Sequence, residues 1–338
     1  VAVAVYDAQT DLLKTFLGSN DELPTLKNYQ AKLADVPTLQ ALRESGVGRV
    51  VNDLEHYGHA GHEHTRQLRA AGYRSSYTVP MFARGEFFGF IFYDSREPAY
   101  FQPEMLAHLE PFARLLALIV ISELSAIRTL KAATLTMRHI ASRRDCETGA
   151  HLERMARYCR LIARAVAETH DLSDEYIEHL FLFAPLHDIG KVAIPDSILL
   201  KPGPLTEAEF EIMREHARKG LELIDLMLQE FGFTGFAHTE VLRNLVLSHH
   251  ESFDGNGYPQ GLKGRAIPIE ARITTTADVF DALTSRRPYK PAWPLDVALA
   301  ELRRQAGRKL DPACVEALIA HADEVAAIQR QFVESVYG

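Results

Sequence analysis

Leu186-His187-Asp188-Ile189-Gly190-Lys191 closes an apolar helical stretch and holds an imidazole, a carboxylate and an ammonium within six residues. Neighbouring side chains on a helix point about 100° apart, yet an imidazole nitrogen and a carboxylate oxygen so placed can converge on one cation. The second carboxylate oxygen is then left for another, so Asp188 is expected to bridge two metals. Lys191 follows Asp188 by three residues, which sets its ammonium one turn along the same face. There it can neutralise charge on an anionic reacting group. The blander reading is a lysine that complements a helix C-terminus.

Other segments supply matching groups. Glu147 and His151 lie four apart on one face of a helix whose apolar stripe is Leu152, Met155, Ala156, Cys159, Ile162, Ala163 and Val166. His151 precedes Met155 by four and Cys159 by eight, so it should face inward. His216 lies in a helix that follows Leu205-Thr206-Glu207, His249-His250 end an apolar helix, and Asp278 sits within Ile273-Thr-Thr-Thr-Ala-Asp-Val-Phe. Taken singly, a helical histidine is more often a core or surface residue than a ligand. His249-His250 can be a capping pair, Asp278 a salt-bridged residue and Glu147 a first-turn carboxylate. Together, five histidines and three carboxylates at core-facing helix positions exceed what one metal can use.

The elements that must position these groups are helices. Beyond Ile140 the pattern is almost wholly helical: Ser173 reads as the N-cap of the helix running toward His187, and further periodic segments cover 207–231, 239–248, 271–284 and 295–305. Phe253 to Pro268, with four glycines and two prolines, reads as loop. The first part of the chain differs. Val1–Tyr6, Thr78–Phe82 and Phe87–Tyr93 are apolar runs, the last two a hairpin about Ala83-Arg84-Gly85-Glu86. With helical segments at Thr38–Ser45 and Glu63–Ala71 they predict an α+β domain with a central antiparallel sheet. Between the two parts, Leu109, Phe112, Leu116, Ile119, Glu123, Ala126, Leu130, Ala133, Met137 and Ile140 keep a heptad spacing that only Glu123 breaks. That is the signature of a two-helix seam and hence of a homodimer. A helix packed on its own domain is the competing reading.

Composition narrows the function classes. The net charge of −8, from 37 Lys+Arg against 45 Asp+Glu, argues against broad nucleic-acid binding, so no DNA partner is expected. Cys146, Cys159 and Cys314 cannot all pair within one chain and show no C-x-x-C spacing, which favours a reducing compartment. The apolar run Leu115–Ile121 is closed by Arg114 and Glu123, short of the ~20 residues a bilayer span needs, and the amino terminus does not look like a signal peptide. A cytoplasmic protein without membrane insertion is the expectation.

Arg144-Asp145-Cys-Glu147-Thr-Gly149-Ala-His151, His187-Asp188-Ile-Gly190-Lys191, Lys201-Pro202-Gly203, His216, His249-His250-Glu251 with Asp254-Gly255-Asn-Gly257-Tyr258-Pro259-Gln-Gly261-Leu262, and Asp278-Val-Phe-Asp281 with Arg287-Pro288-Tyr289-Lys290 together resemble an HD-GYP domain, over roughly Arg138 to Ala320. The resemblance implies a metal-dependent phosphodiesterase that hydrolyses cyclic di-GMP to pGpG, GMP or both. It also implies one metal on His151, His187, Asp188 and Asp278, a second on the bridging Asp188 with His216 and His249, and a third for which Glu147 and His250 are available. Two or three divalent ions follow, iron or manganese ahead of zinc or nickel, since the mixed ligand set does not name the metal. Asp188 and Lys191 would be catalytic, and Asp145, Tyr258, Arg287 and Lys290 would contact substrate.

Val50-Val-Asn-Asp53-Leu, Ala71-Gly72-Tyr73-Arg74-Ser75-Ser76 and Val79-Pro80-Met-Phe-Ala-Arg84-Gly85-Glu-Phe-Phe-Gly89-Phe resemble a GAF domain. That implies a sensory role with an unspecified small-molecule ligand. His56, His59, His62 and His64 crowd one loop there, read as solvated rather than as a metal site. The expected architecture is an α+β GAF-like domain (1–108), a connecting coiled-coil-like helix (109–140) and an all-α HD-GYP domain (141–338). Two alternatives from other classes are a dinucleotide sensor without turnover, and an HD phosphohydrolase acting on another nucleotide such as cyclic GMP-AMP.

Overall fold

The computed structural model describes residues 1–18, 30–56, 63–141, 149–232, 238–285 and 292–333. The chain divides into two compact units, Val1–Ser125 and Ala126–Gly338.

The first unit is built on a six-stranded, wholly antiparallel sheet of order β3-β2-β1-β6-β5-β4. Its strands are β1 (Ala2–Asp7), β2 (Leu12–Gly18), β3 (Gln30–Lys32), β4 (Arg49–Val51), β5 (Ser75–Ala83) and β6 (Glu86–Ser95). The β5–β6 hairpin forms where the turn residues predict it, with Arg84 and Gly85 both at positive φ as a tight hairpin turn demands. Gly89 allows the centre of the sheet to close: a Cβ there would lie 2.0 Å from the Ala4 carbonyl oxygen, so no larger residue would let β6 pair with β1. Helices α1 (Pro37–Ser45) and α2 (Glu63–Ala70) cover the sheet near the expected bounds. Ala4, Leu13, Leu39, Leu42, Phe87, Phe90 and Phe92 form one apolar cluster, and Val51, Leu54 and Leu68 a smaller one. Strands β2, β3 and β4 are not among the predicted runs, because they are short or carry polar residues that mask their alternation. Of the histidine-rich loop, His56 is exposed and bonds Asp53 at 2.8 Å; 57–62 and the His64 side chain lie outside the described residues.

Helix α3 spans Pro103–Ala141. Its described side chains carry two stripes. Ala113, Val120, Leu124 and Ile127 are buried, whereas Phe112, Leu115, Leu118 and Ile119 are exposed. One face of the helix is thus packed and another, which includes Phe112 and Ile119 of the predicted seam, is uncovered. The segment Pro103–Thr129 is also long and apolar enough to cross a membrane by length and composition, which corrects the expectation drawn from the interrupted run: the helix continues through Arg114 and Glu123.

The second unit is helical. Its first helices are α4 (Gly149–His170), α5 (Asp174–Phe183) and α6 (Asp196–Leu199), and Ser173 caps α5 by accepting from the Tyr176 amide, as its type predicts. The stretch expected as one helix over 207–231 is two, α7 (Glu207–Arg214) and α8 (His216–Glu230), broken at Glu215. Helices α9 (Thr239–Ser248), α10 (Ile269–Thr284), α11 (Leu295–Gln305), α12 (Pro312–Ala320) and α13 (Ala322–Gln331) follow. The apolar stripe of α4 lies at the centre of the core with Ile177, Leu180, Leu242, Leu245, Ile273 and Phe280 around it. The site residues are carried by the helices that share this core.

Candidate metal centre

The α5 helix ends at Phe183 and continues as a 3-10 turn over 184–186, so His187 and Asp188 leave a helix end rather than extend it. A second 3-10 turn, Ile189–Ala193, starts directly after Asp188. This turn packs tightly on α8 because residue 190 is glycine: a Cβ there would lie 1.9 Å from the His216 carbonyl oxygen and 2.5 Å from the Gly220 amide nitrogen. The close approach delivers His216, the first residue of α8, to Asp188. Its Nε2 lies 3.2 Å from Asp188 Oδ1, and Nε2 of His249 lies 3.5 Å from the same oxygen.

Four imidazoles are held in one tautomer by the atoms behind them. Nδ1–H of His187 donates to the Ala184 carbonyl (3.0 Å), that of His216 to Met213 (2.7 Å), that of His249 to Leu245 and Val246 (3.0 Å each), and that of His151 to the Asp281 carboxylate (2.7 Å). The break at Glu215 exposes the Met213 carbonyl that orients His216. In each ring Nε2 is then the atom with the lone pair, as in metal-ligating histidines. The ligand atoms fall into two groups, His151, His187 and Asp278 in one, Asp188, His216, His249 and His250 in the other, each within 4.8 Å. Asp188 stands beside both sets, its Oδ2 3.2 Å from His187 Nε2.

Asp188 Oδ1 is buried and has no hydrogen-bond partner among the described residues, although two imidazoles face it. An unsatisfied carboxylate oxygen ringed by lone pairs fits a divalent cation better than it fits a protein-only network. Burial opposes the charge on Asp188, but Lys191, His187 and His216 outweigh it and hold the carboxyl well below the usual range. Burial pushes the His249 and His250 imidazoles down, the latter further because His249 adjoins it. Neutral rings and an ionised aspartate are the states that metal ligation uses.

Lys191 Nζ lies 2.7 Å from Asp188 Oδ2, as its i,i+3 spacing predicts. Its ammonium therefore orients the bridging carboxylate in addition to being available to an anion nearby. Tyr258 sits against the His250 ring (centroids 4.7 Å apart) and 5.1 Å below the Arg214 guanidinium. Its loop is fixed by buried Glu251, which accepts from the Gln260 and Leu262 amides at 2.7 and 2.9 Å, and by Gly257, whose Cβ would meet the Ser252 nitrogen at 2.2 Å. Asp145, Glu147, Arg287 and Lys290 lie outside the described residues.

Two residues absent from the predicted ligand set matter here. Asp281 is fully buried, accepts from His151, Arg154 and Ser285, and keeps its carboxyl low because His151 and Arg154 outweigh its burial. The signal in the sequence is its place three residues after Asp278 on the same helix. Arg214, over Tyr258, carries none beyond standing two residues before His216.

Comparison with known proteins bears on this centre. The chain is 50% identical over 189 residues to "Cyclic di-GMP phosphodiesterase response regulator RpfG" of Xanthomonas campestris pv. campestris (strain 8004), covering 56% of this chain and 47% of that protein. Two proteins of Vibrio cholerae serotype O1 are also similar. "Cyclic di-GMP phosphodiesterase" is 42% identical over 211 residues, 61% of this chain and 42% of its own length. "3'3'-cGAMP-specific phosphodiesterase 2" is 40% identical over 201 residues, 60% and 36% of the two lengths. The chain thus spans less than half the length of each of these relatives. A GAF domain model matches residues 3–120, over the antiparallel sheet, and an HD domain model matches residues 135–314, over the helices that carry the clustered ligands. The chain belongs to the HD domain family, with a GAF domain ahead of its helical HD domain.

Proposed function

We propose that this protein hydrolyses a phosphodiester bond of cyclic di-GMP, giving pGpG, GMP or both, and that its GAF domain regulates the reaction. The observation that carries the reading is the buried Asp188 carboxylate, faced by lone-pair nitrogens from separate helices and adjoining the Tyr258 loop. His151, His187, Asp188 and Asp278 would hold one metal, and Asp188, His216 and His249 a second; Glu147 and His250 are available to a third. Divalent metals bound there supply Lewis-acid activation of water and of the phosphoryl oxygens. The chain's own residues do the rest. His151, His216 and His249 present Nε2 to a cation because Asp281 and backbone carbonyls accept from their Nδ1–H groups. Lys191 keeps Asp188 ionised and oriented, and offers its ammonium to charge that grows on the phosphoryl group. Tyr258, steadied by His250 and Arg214, would meet the guanine base, and Asp145, Arg287 and Lys290 the remaining dinucleotide groups. The proposed organisation is a sensory part over 1–108, a connecting helix over 109–140 and the catalytic part over 141–338, in the cytoplasm.

A homodimer through α3 is part of this reading. The exposed Phe112, Leu115, Leu118 and Ile119 need a cover. A second copy suits them better than lipid, because the Glu110–Arg114 ion pair (2.5 Å) lies within the same segment and ionised pairs are costly in hydrocarbon.

Anaerobic loading with Fe(II) or Mn(II), followed by incubation with cyclic di-GMP and with cyclic GMP-AMP and product chromatography, tests the function. Linear dinucleotide or mononucleotide from cyclic di-GMP is expected. Turnover of cyclic GMP-AMP alone would move the substrate to the class named for one relative, and no turnover of either by metal-loaded protein would overturn the phosphodiesterase reading. Asp188→Ala should lose both the bound metal of this centre and the activity with the helical circular dichroism retained. Wild-type metal content in that variant would refute the ligand assignment.

A further inference from the structure

A second histidine cluster lies outside the centre described above. Glu175 and His179, four apart on α5, share a face with each other and meet His238, the N-cap residue of α9. His238 Nε2 lies 3.6 Å from Glu175 Oε1, the His179 and His238 ring centroids are 4.8 Å apart, and the three ligand atoms all lie within 4.8 Å of one another. His179 is completely buried, whereas Glu175 and His238 are about a quarter exposed. The cluster is therefore walled on one side and open on the other.

We propose that Glu175, His179 and His238 form a separate mononuclear site for a borderline divalent cation of the zinc type, which ties the start of α5 to the start of α9. Donors about 2.1 Å from one tetrahedral cation stand about 3.4 Å apart, close to the Glu175–His238 separation already present. Nδ1–H of His179 donates to the Glu175 carbonyl at 2.7 Å, which leaves Nε2 as the ligating nitrogen, the arrangement by which ligand histidines are oriented. The Tyr176 ring stands edge-on to His238 at 5.9 Å, and its hydroxyl donates to Glu270 at 2.7 Å, so the wall beside His238 is itself anchored. His238 holds φ at +57°, an uncommon backbone for a residue other than glycine or asparagine.

A plain ion pair accounts for this cluster less well. An ion pair with Glu175 would use His238 alone, whereas a bound cation takes both rings and the carboxylate. Two imidazoles and one carboxylate leave further positions for water. A contrasting cluster, Asp53, Glu55 and His56, already has its cation: Arg74 lies 3.4 Å from Asp53 and 3.3 Å from Glu55, and His56 is 82% exposed. The new site is also remote from the first. It lies at the opposite end of α9 from His249, eleven residues or about 16 Å along the helix.

Zn(II) itself is the probe. The purified full chain is loaded with excess Zn(II), dialysed, and its metal counted per chain in wild type, His238→Gly, Asp188→Ala and the double variant. Glycine adopts the positive φ of residue 238 without strain, so His238→Gly should melt no lower than wild type in the presence of a chelator. It should hold one zinc fewer than wild type. Asp188→Ala should retain one equivalent, and the double variant none. The same count in wild type and His238→Gly overturns the proposal, as does an Asp188→Ala protein that binds no zinc. Because the readout is stoichiometry at a site separate from Asp188, the result stands apart from whether the chain hydrolyses cyclic di-GMP.

Discussion

The two units handle buried polarity in opposite ways. In the GAF unit the interior is a sheet face of phenylalanine, leucine and valine, with the β1–β6 pairing closed by Gly89, and among the described residues its buried Lys14 pairs with Asp7 at 3.1 Å. In the HD unit the same depth of burial holds His151, His187, Asp188, His216, His249 and Asp281. Such a set would be ruinous if loosely held, since each unsatisfied buried polar group costs about 1–3 kcal/mol. It is tolerated because the rings are braced from behind by carbonyls or by Asp281, which leaves the unsatisfied atoms facing one another. A polar interior of this kind is a prepared binding site, while an apolar one is only a scaffold.

The contrast can be broken most severely at the brace. Asp281→Asn leaves Arg154 buried without its charge partner and leaves one acceptor oxygen where His151, Arg154 and Ser285 now share two. Metal affinity and turnover should fall about 10–100-fold, with a stability loss of about 3 kcal/mol read by denaturant melts. Metal binding equal to wild type would show that the second layer is dispensable.

Gly190→Ala attacks the approach rather than the charge. Its Cβ would meet backbone at 1.9 Å, so α8 must withdraw and take His216 from Asp188. A destabilisation of about 2–3 kcal/mol is expected, together with selective weakening of the metal that His216 would hold. Unchanged stoichiometry and Tm would mean that the 3-10 turn yields instead.

The smallest expected effect sharpens the GAF side. Asp94, on β6, is the exception there: Oδ1 is buried without a partner, and burial, partly offset by a hydrogen bond from Ser76, pushes its carboxyl up to about 6. A carboxyl raised above its unfolded value near 3.8 penalises folding when ionised. The penalty is absent below about pH 3.8 and complete above about pH 6. Asp94→Asn should therefore stabilise the unit by about 1–2 kcal/mol at pH 7.5, and the gain should vanish as pH falls toward 4. A pH-independent difference in Tm would refute this account.

Local chemistry made much of the molecule legible from its residues. The Ser173 cap, the β5–β6 hairpin, the limits of α9 and α11 and the inward orientation of His151 all follow from interactions within a few positions, which propensity and periodicity report directly. The resemblance carried by the motifs around His187-Asp188 named as ligands His151, His187, Asp188, His216, His249, His250 and Asp278, and the fold brings their ligand atoms together in two adjoining groups. Distances between those side chains were not legible, because they depend on how helices far apart in sequence pack. The break at Glu215 that turns His216 toward Asp188 answers to a contact with Gly190, 25 residues earlier. Asp281 looks like one more helix-surface carboxylate until α4 and α10 bring Arg154 and His151 onto it. The Glu175–His179–His238 cluster joins two helices whose sequences show no motif between them. Sequence alone determined which groups this protein can offer and on which elements. Tertiary packing decided which of them come within reach of a single cation, because ligation acts over a few ångströms and only the fold brings residues distant in sequence within that range.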